Sequence, residues 1–284
     1  MQATIRKAVI PVAGLGTRLR PMTYVIPKVM MPLVDCRDRV LPVLHFLLAE
    51  AKSAGADEVA LVVSPQHDVP MREYLSAVRP DGYADLPTRV EFVRQDEPLG
   101  FGHAVAQARA FVGDEPFLLM LGDHVYIPAQ GAPACAAQVV GAFDRLGGKA
   151  VVGMQPVGPE ELPRVGVAGG LPIGEGVYRC TNFVEKPDLA TAEDKLLAPD
   201  LPEGQFLAHC GAYVFDPVVF ELLAELSAAD RPAGAEVQLA DAQAMLLSRY
   251  PEEYFLARIA GRAYDTGTPG GYSAALAAFH AGGG

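Results

Sequence analysis

Short apolar runs recur along the first half of the chain and predict buried β-strands. Four of them, at residues 8–12, 59–63, 117–121 and 150–154, contain no charged position, and residues 90–93 form a similar run with one glutamate. An open sheet that is exposed on one face shows alternating apolar and polar positions instead. The continuous runs therefore predict strands of a sheet that is covered on both faces.

Segments with helical spacing of their apolar residues lie between these runs. Residues 40–54 carry leucines at helical intervals and stop at Gly55, and residues 103–111 predict a second helix. Strands that alternate with helices favour a mainly parallel sheet with right-handed crossovers. We therefore predict an α/β, Rossmann-like, doubly wound fold with a mainly parallel mixed sheet.

The second half of the chain has a weaker pattern. Residues 153–187 are rich in glycine and proline with short β-like pieces, and the polar, acidic residues 188–204 predict a solvated loop or helix. Residues 212–215 then predict a strand and residues 218–226 a helix. No internal repeat or long linker interrupts the 284 residues. We expect a single domain over 1–284, with a smaller irregular portion in its second half.

The charge of the chain limits the classes of partner. Half of the residues are hydrophobic, and the formal net charge is −11 at pH 7. Binding to nucleic acid or to an anionic membrane depends on a basic surface, so we expect neither partner. A phosphorylated substrate remains compatible, because a local group of cations can oppose the global charge.

The cysteines and apolar segments bear on the compartment. Cys36, Cys135, Cys180 and Cys210 are scattered without metal-binding spacing, which favours reduced thiols. The N-terminus has no signal-peptide pattern, and no apolar run reaches the roughly 18–20 residues that span a bilayer. We expect a cytoplasmic protein.

The segment Gly14-Leu15-Gly16-Thr17-Arg18 directly follows the first predicted strand. Ligands of open α/β sheets bind beyond the carboxyl ends of the strands, and glycines let backbone N–H groups approach phosphates closely. A dinucleotide-binding loop requires a third glycine where Leu19 stands, and the Gly-Lys-Ser/Thr of a P-loop is missing. A phosphate-binding loop with Arg18 and Lys28 and a simple strand–turn both remain open.

Five further side chains fit the chemistry of a polyanionic ligand. Asp123 ends the most apolar strand, and Asp265 is a second isolated aspartate; two such carboxylates can hold one Mg²⁺ together with substrate phosphates. The amide of Gln95, close to Gly100, can both donate and accept hydrogen bonds, as a pyrimidine edge requires. Glu185 and Lys186 are adjacent on a β-like segment, so strand geometry predicts that they face opposite ways.

These motifs, in this order, resemble the sugar-phosphate nucleotidyltransferases. The resemblance spans about residues 6–280 and rests on residues 13–21, 27–28, 31–33, 121–123, 184–187 and 265–268. Residues 93–95, 100–104 and 236–242 resemble the bacterial branch that uses UTP and glucose 1-phosphate. The resemblance implies a Mg²⁺-dependent enzyme that forms UDP-glucose and pyrophosphate, and it implies a homo-oligomer.

The resemblance also implies a role for each matching position. Residues 1–150 would mainly bind the nucleotide, and residues 151–284 would mainly bind the sugar phosphate and supply the C-terminal helices. Arg18, Lys28, Asp123 and Lys186 would be catalytic, and Asp123 and Asp265 would hold the metal. The nucleotide would contact Gly14, Leu15, Gly16, Gln95 and Gly100, and the sugar phosphate would contact Gly166, Glu185 and Lys186.

Three departures from the family pattern leave alternatives open. Val29 follows Lys28 where the uridylyl branch usually has a glutamate, His124 follows Asp123, and Val165 precedes Gly166. The nucleotide could therefore be dTTP, or the sugar another hexose 1-phosphate. A catalytically silent sugar-nucleotide sensor is the alternative from another class. Retention of Asp123, Asp265, Arg18 and Lys186 counts against the sensor, since a sensor has no need of the metal pair.

Overall fold

A nine-stranded mixed sheet forms the centre of the computed structural model, which describes residues 5–65, 67–78, 83–229 and 235–281. The strands are β1 (Lys7–Pro11), β2 (Pro32–Val34), β3 (Val40–Pro42), β4 (Glu58–Val63), β5 (Arg89–Arg94), β6 (Phe117–Met120), β7 (His124–Pro128), β8 (Ala150–Val157), β9 (Gly166–Gly174), β10 (Val177–Glu185), β11 (Phe206–Phe215), β12 (Tyr254–Arg258) and β13 (Gly261–Asp265). The large sheet has the order β5-β4-β1-β6-β11-β8-β12-β10-β9, while β13 pairs with β7 and β2 pairs with β3.

Helices pack on both faces of this sheet. Within the described residues they are α1 (Val43–Ser53), α2 (Asp68–Val78), α3 (Phe101–Gln107), α4 (Arg109–Val112), α5 (Cys135–Leu146), α6 (Leu189–Lys195), α7 (Val218–Ala228), α8 (Leu239–Arg249) and α9 (Pro269–His280). The predicted fold class is confirmed: the structure is α/β, with a large mixed sheet.

Strands β5, β4, β1 and β6 are parallel neighbours, and their apolar runs are explained by burial on both faces. In β1, Ala8 and Ile10 belong to one hydrophobic core and Val9 to another. Leu118 and Leu119 of β6 divide in the same way. Successive side chains of a strand point to opposite faces, so a sheet between two cores needs apolar residues at every position.

The second half of the sheet is mainly antiparallel. Strand β11 pairs antiparallel with β6, β8 and β9, and β9 and β10 form a long hairpin. The prediction of short β-like pieces over residues 153–187 was too weak, because β9 and β10 have nine residues each. The apolar pattern of these strands is interrupted in the sequence because residues 171–175, at the tip of the hairpin, are exposed.

Three predictions need correction, two of them in the extent of a helix and one in its burial. Residues 40–42 are strand β3, and α1 begins only at Val43, because Pro42 has an extended backbone at the N-cap position. The helix predicted over residues 103–111 is divided into α3 and α4. Residues 188–204 do contain a helix, α6, but the segment is not wholly solvated: Ala192 of α6 and Leu196 directly after it are buried in a third, smaller core.

Two features bear on the expectations about cysteines and membranes. All four cysteines are free, and three of them are buried. Among the described residues, no helix is both long enough and apolar enough to cross a membrane.

Glu50 of α1 joins two helices through its carboxylate. The N-terminus of α5 has no side-chain cap of its own, and Glu50 accepts a hydrogen bond from the backbone N–H of Ala136 at 2.6 Å. A carboxylate at this position also interacts favourably with the helix dipole. Burial raises the pKa of Glu50 from 4.5 to about 7, although the hydrogen bonds from the α5 backbone oppose the rise.

We predict a pH dependence of stability that originates at Glu50. Between pH 4.5 and 7 the folded state holds more protons on Glu50 than the unfolded state, so the free energy of unfolding should fall by roughly 3 kcal/mol as pH rises through this window. Glu50→Gln should remove this fall, because the amide does not titrate. Urea unfolding at pH 5 and pH 8 measures it. Glu73→Gln, at an exposed position of α2, should show the same fall in the free energy of unfolding as the wild type. A fall of wild-type size in E50Q would refute the assignment to Glu50.

Candidate active site

A cleft of about 1010 Å³ opens where β1 and β6 end, beside Pro11 and Leu121. The carboxyl ends of parallel strands are the expected place for a ligand in this class of fold. Every predicted site residue except Gly16 lines the cleft: Gly14, Leu15, Arg18, Lys28, Gln95, Gly100, Asp123, Gly166, Glu185, Lys186 and Asp265. The fold thus brings together positions from both halves of the chain.

The glycine-rich loop connects β1 to a short 3₁₀ turn over Thr17–Leu19. Gly14 lines the cleft, and a side chain there would meet the end of Lys28 at 3.7 Å. Gly16 has the left-handed φ of 61° that allows the turn, and its carbonyl accepts a hydrogen bond from the Thr23 hydroxyl at 2.8 Å. Gly16 therefore shapes the loop from outside the cleft lining.

Asp123 and Asp265 come together although they are distant in sequence. Strands β7 and β13 pair antiparallel, and their register places Asp265 opposite His124. One ligand atom from each of Asp123, His124 and Asp265 lies within 4.8 Å of the others. Within the described chain, this group has the donors to hold a metal ion, and carboxylate oxygens suit a hard divalent cation.

The Asp-Thr-Gly segment fixes the distance between the two carboxylates. Thr266 donates two hydrogen bonds to the carbonyl of Asp123, from its backbone N–H at 2.7 Å and from its hydroxyl at 2.8 Å. Gly267 donates to the Asp265 carboxylate at 2.7 Å. A Cβ at Gly267 would lie 2.7 Å from Asp123 Oδ2 and 2.9 Å from Asp265 Oδ1, so a side chain there would displace the carboxylates.

Lys28 forms a mostly buried ion pair with Asp123. Lys28 Nζ lies 2.6 Å from Asp123 Oδ2, with 17% and 16% of the side chains exposed, and His124 Nδ1 lies 3.1 Å from Asp123 Oδ1. Burial alone would raise the pKa of Asp123, but the charge of Lys28 and the hydrogen bond with His124 outweigh burial and hold this pKa well below its usual range. Asp123 is therefore an anion throughout the neutral range.

Glu185 and Lys186 both line the far side of the cleft, at the end of β10. The expectation that they face opposite ways fails, because Lys186 lies just past the strand with a φ of 52°. Lys186 Nζ is 3.8 Å from Glu185 Oε1. Burial raises the pKa of Glu185 above its usual value, and Lys186 opposes this rise. The two side chains place opposite charges at one end of the cleft.

Gly166 lies opposite Glu185 in the β9–β10 register. A Cβ at Gly166 would be 2.8 Å from Glu185 Oε2 and 2.9 Å from the ring of Phe183. The missing side chain therefore opens the space beside the Glu185 carboxylate.

Gln95 is buried in the wall of the cleft near the start of α3. Its amide nitrogen donates to the carbonyl of Gly100 at 3.1 Å and lies 3.1 Å from His103 Nδ1, which leaves the amide oxygen as an acceptor.

Gly100 has a φ of 105°, and a Cβ there would lie 2.6 Å from the carbonyl of Val237. The segment that contains Val237 also bonds to Leu99 and Gly102, so the two stretches singled out by sequence pack on each other.

Several residues that line the cleft were missed by the sequence analysis. Arg262 and Glu161 lie 3.7 Å apart, and Arg164, His209 and Tyr213 also contribute to the wall. The arginines follow no pattern that distinguishes them from other surface cations. His209 had a usable signal, because it interrupts the otherwise apolar strand β11.

The cleft combines a group of anions with several cations. Asp123 and Asp265 lie close together with Lys28 beside Asp123, while Arg18 and Lys186 also line the same space. Neither serine nor cysteine occurs among the described residues that line it. This arrangement suits a polyanionic ligand that binds with a divalent cation, and a Ser or Cys nucleophile is not available to it.

Comparison with known proteins agrees with this chemistry. Residues 7–281 match the family described as Nucleotidyl transferase. The chain is 33% identical over 283 residues to the UTP–glucose-1-phosphate uridylyltransferase of Bacillus subtilis (strain 168), a match that covers 94% of this chain and 88% of that protein. The protein of the same name from Streptococcus pneumoniae serotype 4 is 34% identical over 292 residues, with 96% and 89% covered.

Solved structures give the same result. A UDP-glucose pyrophosphorylase complexed with UDP-glucose has a TM-score of 0.80 and 28% identity, and the superposition covers 98% of this chain and 99% of that one. The UTP-bound enzyme of the same kind from Acinetobacter baumannii has a TM-score of 0.74 and 26% identity, with 96% and 92% covered.

The buried pair predicts a stability effect that separates Lys28 from the other cations of the cleft. Lys28→Met should lower the free energy of unfolding at pH 7 by about 3 kcal/mol, because it leaves the Asp123 carboxylate buried without its cation. The double variant K28M/D123N should lose less free energy of unfolding than the sum of the losses in K28M and D123N. We expect the difference to be about 2 kcal/mol. Urea unfolding of the four proteins measures this coupling.

Lys186→Met is the matched control, since Lys186 is exposed and its pair with Glu185 should be worth less than about 1 kcal/mol. Equal losses in K28M and K186M would contradict the buried-pair assignment.

Proposed function

The chain belongs to the nucleotidyl transferase family, and from this premise we propose that it is a Mg²⁺-dependent uridylyltransferase. It joins UTP and glucose 1-phosphate to give UDP-glucose and pyrophosphate. The observation that carries the proposal is the convergence of Asp123 and Asp265 with Arg18, Lys28 and Lys186 around one cleft. Such a set fits two anionic substrates and a cation, and relatives that cover nearly the whole chain bear this activity in their names.

The reaction requires an in-line displacement at phosphorus. An oxygen of the sugar phosphate attacks the α-phosphorus of UTP, the bond from this phosphorus to the bridging oxygen of the β-phosphate breaks, and pyrophosphate leaves. The attacking oxygen is already ionised near neutral pH, so no general base is required. Catalysis then depends on positioning and on neutralising negative charge.

The proposal gives each cation a place in this reaction. Gly14 and Leu15 present their backbone to the nucleotide phosphates, and Arg18 binds the β- and γ-phosphates that become pyrophosphate. Lys28 neutralises the α-phosphate while it remains close to Asp123.

Lys186 binds the sugar phosphate, and Glu185 accepts hydrogen bonds from sugar hydroxyls. Mg²⁺ held by Asp123 and Asp265 would supply Lewis-acid stabilisation of the phosphate charge.

We assign the nucleotide mainly to residues 1–150 and the sugar phosphate mainly to residues 151–284. Asp265 crosses this division, because it belongs to the second half yet lies beside Asp123. The metal would therefore bind where the two halves meet. The four free cysteines suit a reducing compartment, and we propose that the enzyme works in the cytoplasm.

The first test is a pyrophosphate-release screen of nucleoside triphosphates against sugar 1-phosphates with Mg²⁺. We expect turnover with UTP and glucose 1-phosphate, and a loss of roughly 10²-fold or more in Asp123→Asn, because the metal loses a charged ligand. Asp114→Asn, at an exposed position that pairs with Arg109, should keep the wild-type rate. Failure of UTP with every sugar phosphate would overturn the proposal, and an undiminished rate in D123N would overturn the metal assignment.

A second test concerns the base. The free amide oxygen of Gln95 can accept from the ring N–H of uracil or thymine but not from cytosine, which has no proton on that nitrogen. We expect kcat/KM for CTP to be about 10²-fold or more below that for UTP, with dTTP within about tenfold of UTP. Gln95→Leu should lower kcat/KM for UTP and should therefore reduce the ratio of kcat/KM for UTP to that for CTP. Equal use of CTP and UTP by the wild type would contradict this role of Gln95.

A further inference from the structure

His209 is a buried polar side chain in the wall of the cleft. It lies in β11, where every residue is buried, and is itself only 9% exposed. Its ring stacks on Phe183, with the ring centroids 4.6 Å apart and the planes at 12°, and meets the ring of Tyr213 edge-on. These two aromatic contacts hold the imidazole in one orientation.

The imidazole has one nitrogen without a partner. Nδ1 lies 3.5 Å from the Tyr213 hydroxyl, while Nε2 is buried and has no hydrogen-bond partner in the described structure. Burial lowers the pKa of His209 to about 3, so the ring is neutral and each nitrogen either donates or accepts a single hydrogen bond. Nε2 is closed off from the cleft, whereas the contact of Nδ1 with the Tyr213 hydroxyl is at the long limit of a hydrogen bond, so Nδ1 can make a shorter bond to a ligand.

His45 shows what a structural histidine looks like in this chain. It is 1% exposed, and both of its ring nitrogens have partners: the Tyr74 hydroxyl at 2.8 Å and the Asp85 carboxylate at 3.3 Å. His45 does not line the cleft. The two histidines are similarly buried, so burial alone does not explain why Nε2 of His209 lacks a partner.

The position of His209 identifies which ligand group it meets. A Cβ placed on Gly166 would lie 2.8 Å from Glu185 Oε2 and 3.4 Å from His209 Nδ1. The space left by this missing side chain is therefore bordered by a carboxylate and by a neutral imidazole. A carboxylate accepts hydrogen bonds and an imidazole can donate one, which together suit neighbouring hydroxyl groups of a sugar.

We propose that His209 hydrogen-bonds a hydroxyl group of the sugar and selects among hexose 1-phosphates by that contact. The inference rests on the proposed function, since it concerns the sugar side of the same cleft. His209 would then be a second residue, beside Glu185, that determines which sugar binds. Unlike Glu185 it is uncharged, and it contacts a single hydroxyl group. A sugar phosphate that lacks this hydroxyl would leave Nδ1 with only its long contact to Tyr213, and would be discriminated against for that reason.

The test combines variants of His209 with altered sugars. His209→Phe keeps an aromatic ring against Phe183 but has no nitrogen, His209→Leu is a smaller apolar variant, and His209→Asn carries an amide near the position of Nδ1. The substrates are glucose 1-phosphate and a set of deoxyglucose 1-phosphates, each lacking one hydroxyl. The value of kcat/KM for the sugar phosphate is measured at saturating UTP, and thermal unfolding verifies that each variant is folded.

We expect the wild type to lose about tenfold or more in kcat/KM with one of the deoxy sugars, as for a single buried hydrogen bond. H209F and H209L should use glucose 1-phosphate about tenfold less well and should show no further loss with that deoxy sugar. H209N should recover part of the discrimination. The KM for UTP should stay unchanged in all three variants, and His280→Phe, at an exposed position of α9, should behave as the wild type.

The inference is overturned if the folded variants lose the same factor as the wild type with every deoxy sugar, because His209 then contacts none of the hydroxyls. A general loss of stability would lower kcat/KM for all sugars alike and would leave this discrimination intact. Wild-type turnover of UTP with a hexose 1-phosphate tests the proposed function separately, so failure of the two claims is distinguishable.

Discussion

The close approach of two carboxylates in a partly buried cleft is the constraint on which the rest of the site depends. Charged atoms of Asp123 and Asp265 within 4.8 Å repel each other by roughly 3 kcal/mol or more at the effective dielectric of such a site. The hydrogen bonds of Thr266 and Gly267 hold the approach, and Lys28 at 2.6 Å offsets the charge. We infer that the charge of Lys28 keeps the Asp123 carboxylate ionised. A bound metal ion would then share with Lys28 the neutralisation of this carboxylate.

The fold positions this pair through two unrelated pieces of sheet. Asp123 follows β6, whose carboxyl end lies beside that of β1 in the parallel part of the large sheet. Asp265 ends β13, which is joined to β7 in a separate two-stranded ladder. The antiparallel β9–β10 hairpin adds Gly166 and Glu185 from the other side. Parallel strands thus supply the nucleotide side of the proposed site, and the hairpin supplies the sugar side.

Sequence reasoning succeeded where a local pattern determines the structure. The apolar runs of β1, β4 and β6 follow from burial on both faces, and a carboxylate directly after such a strand must lie at the ligand edge of the sheet. It failed where long-range pairing determines the geometry. The left-handed conformation of Lys186 places it beside Glu185 against strand alternation, and the β7–β13 register brings the Asp123 and Asp265 carboxylates around Gly267. The stacking of His209 on Phe183 depends on a residue from another strand and was likewise invisible in the sequence.

The central claim is that Asp123 and Asp265 hold a divalent ion that is shared with the nucleotide. Calorimetric titration of UTP with and without Mg²⁺, in the wild type and in Asp265→Asn, measures this coupling directly. The account predicts that Mg²⁺ tightens UTP binding to the wild type by about tenfold or more and that D265N loses this gain while it still binds UTP. An equal Mg²⁺-dependent gain in D265N would contradict the account.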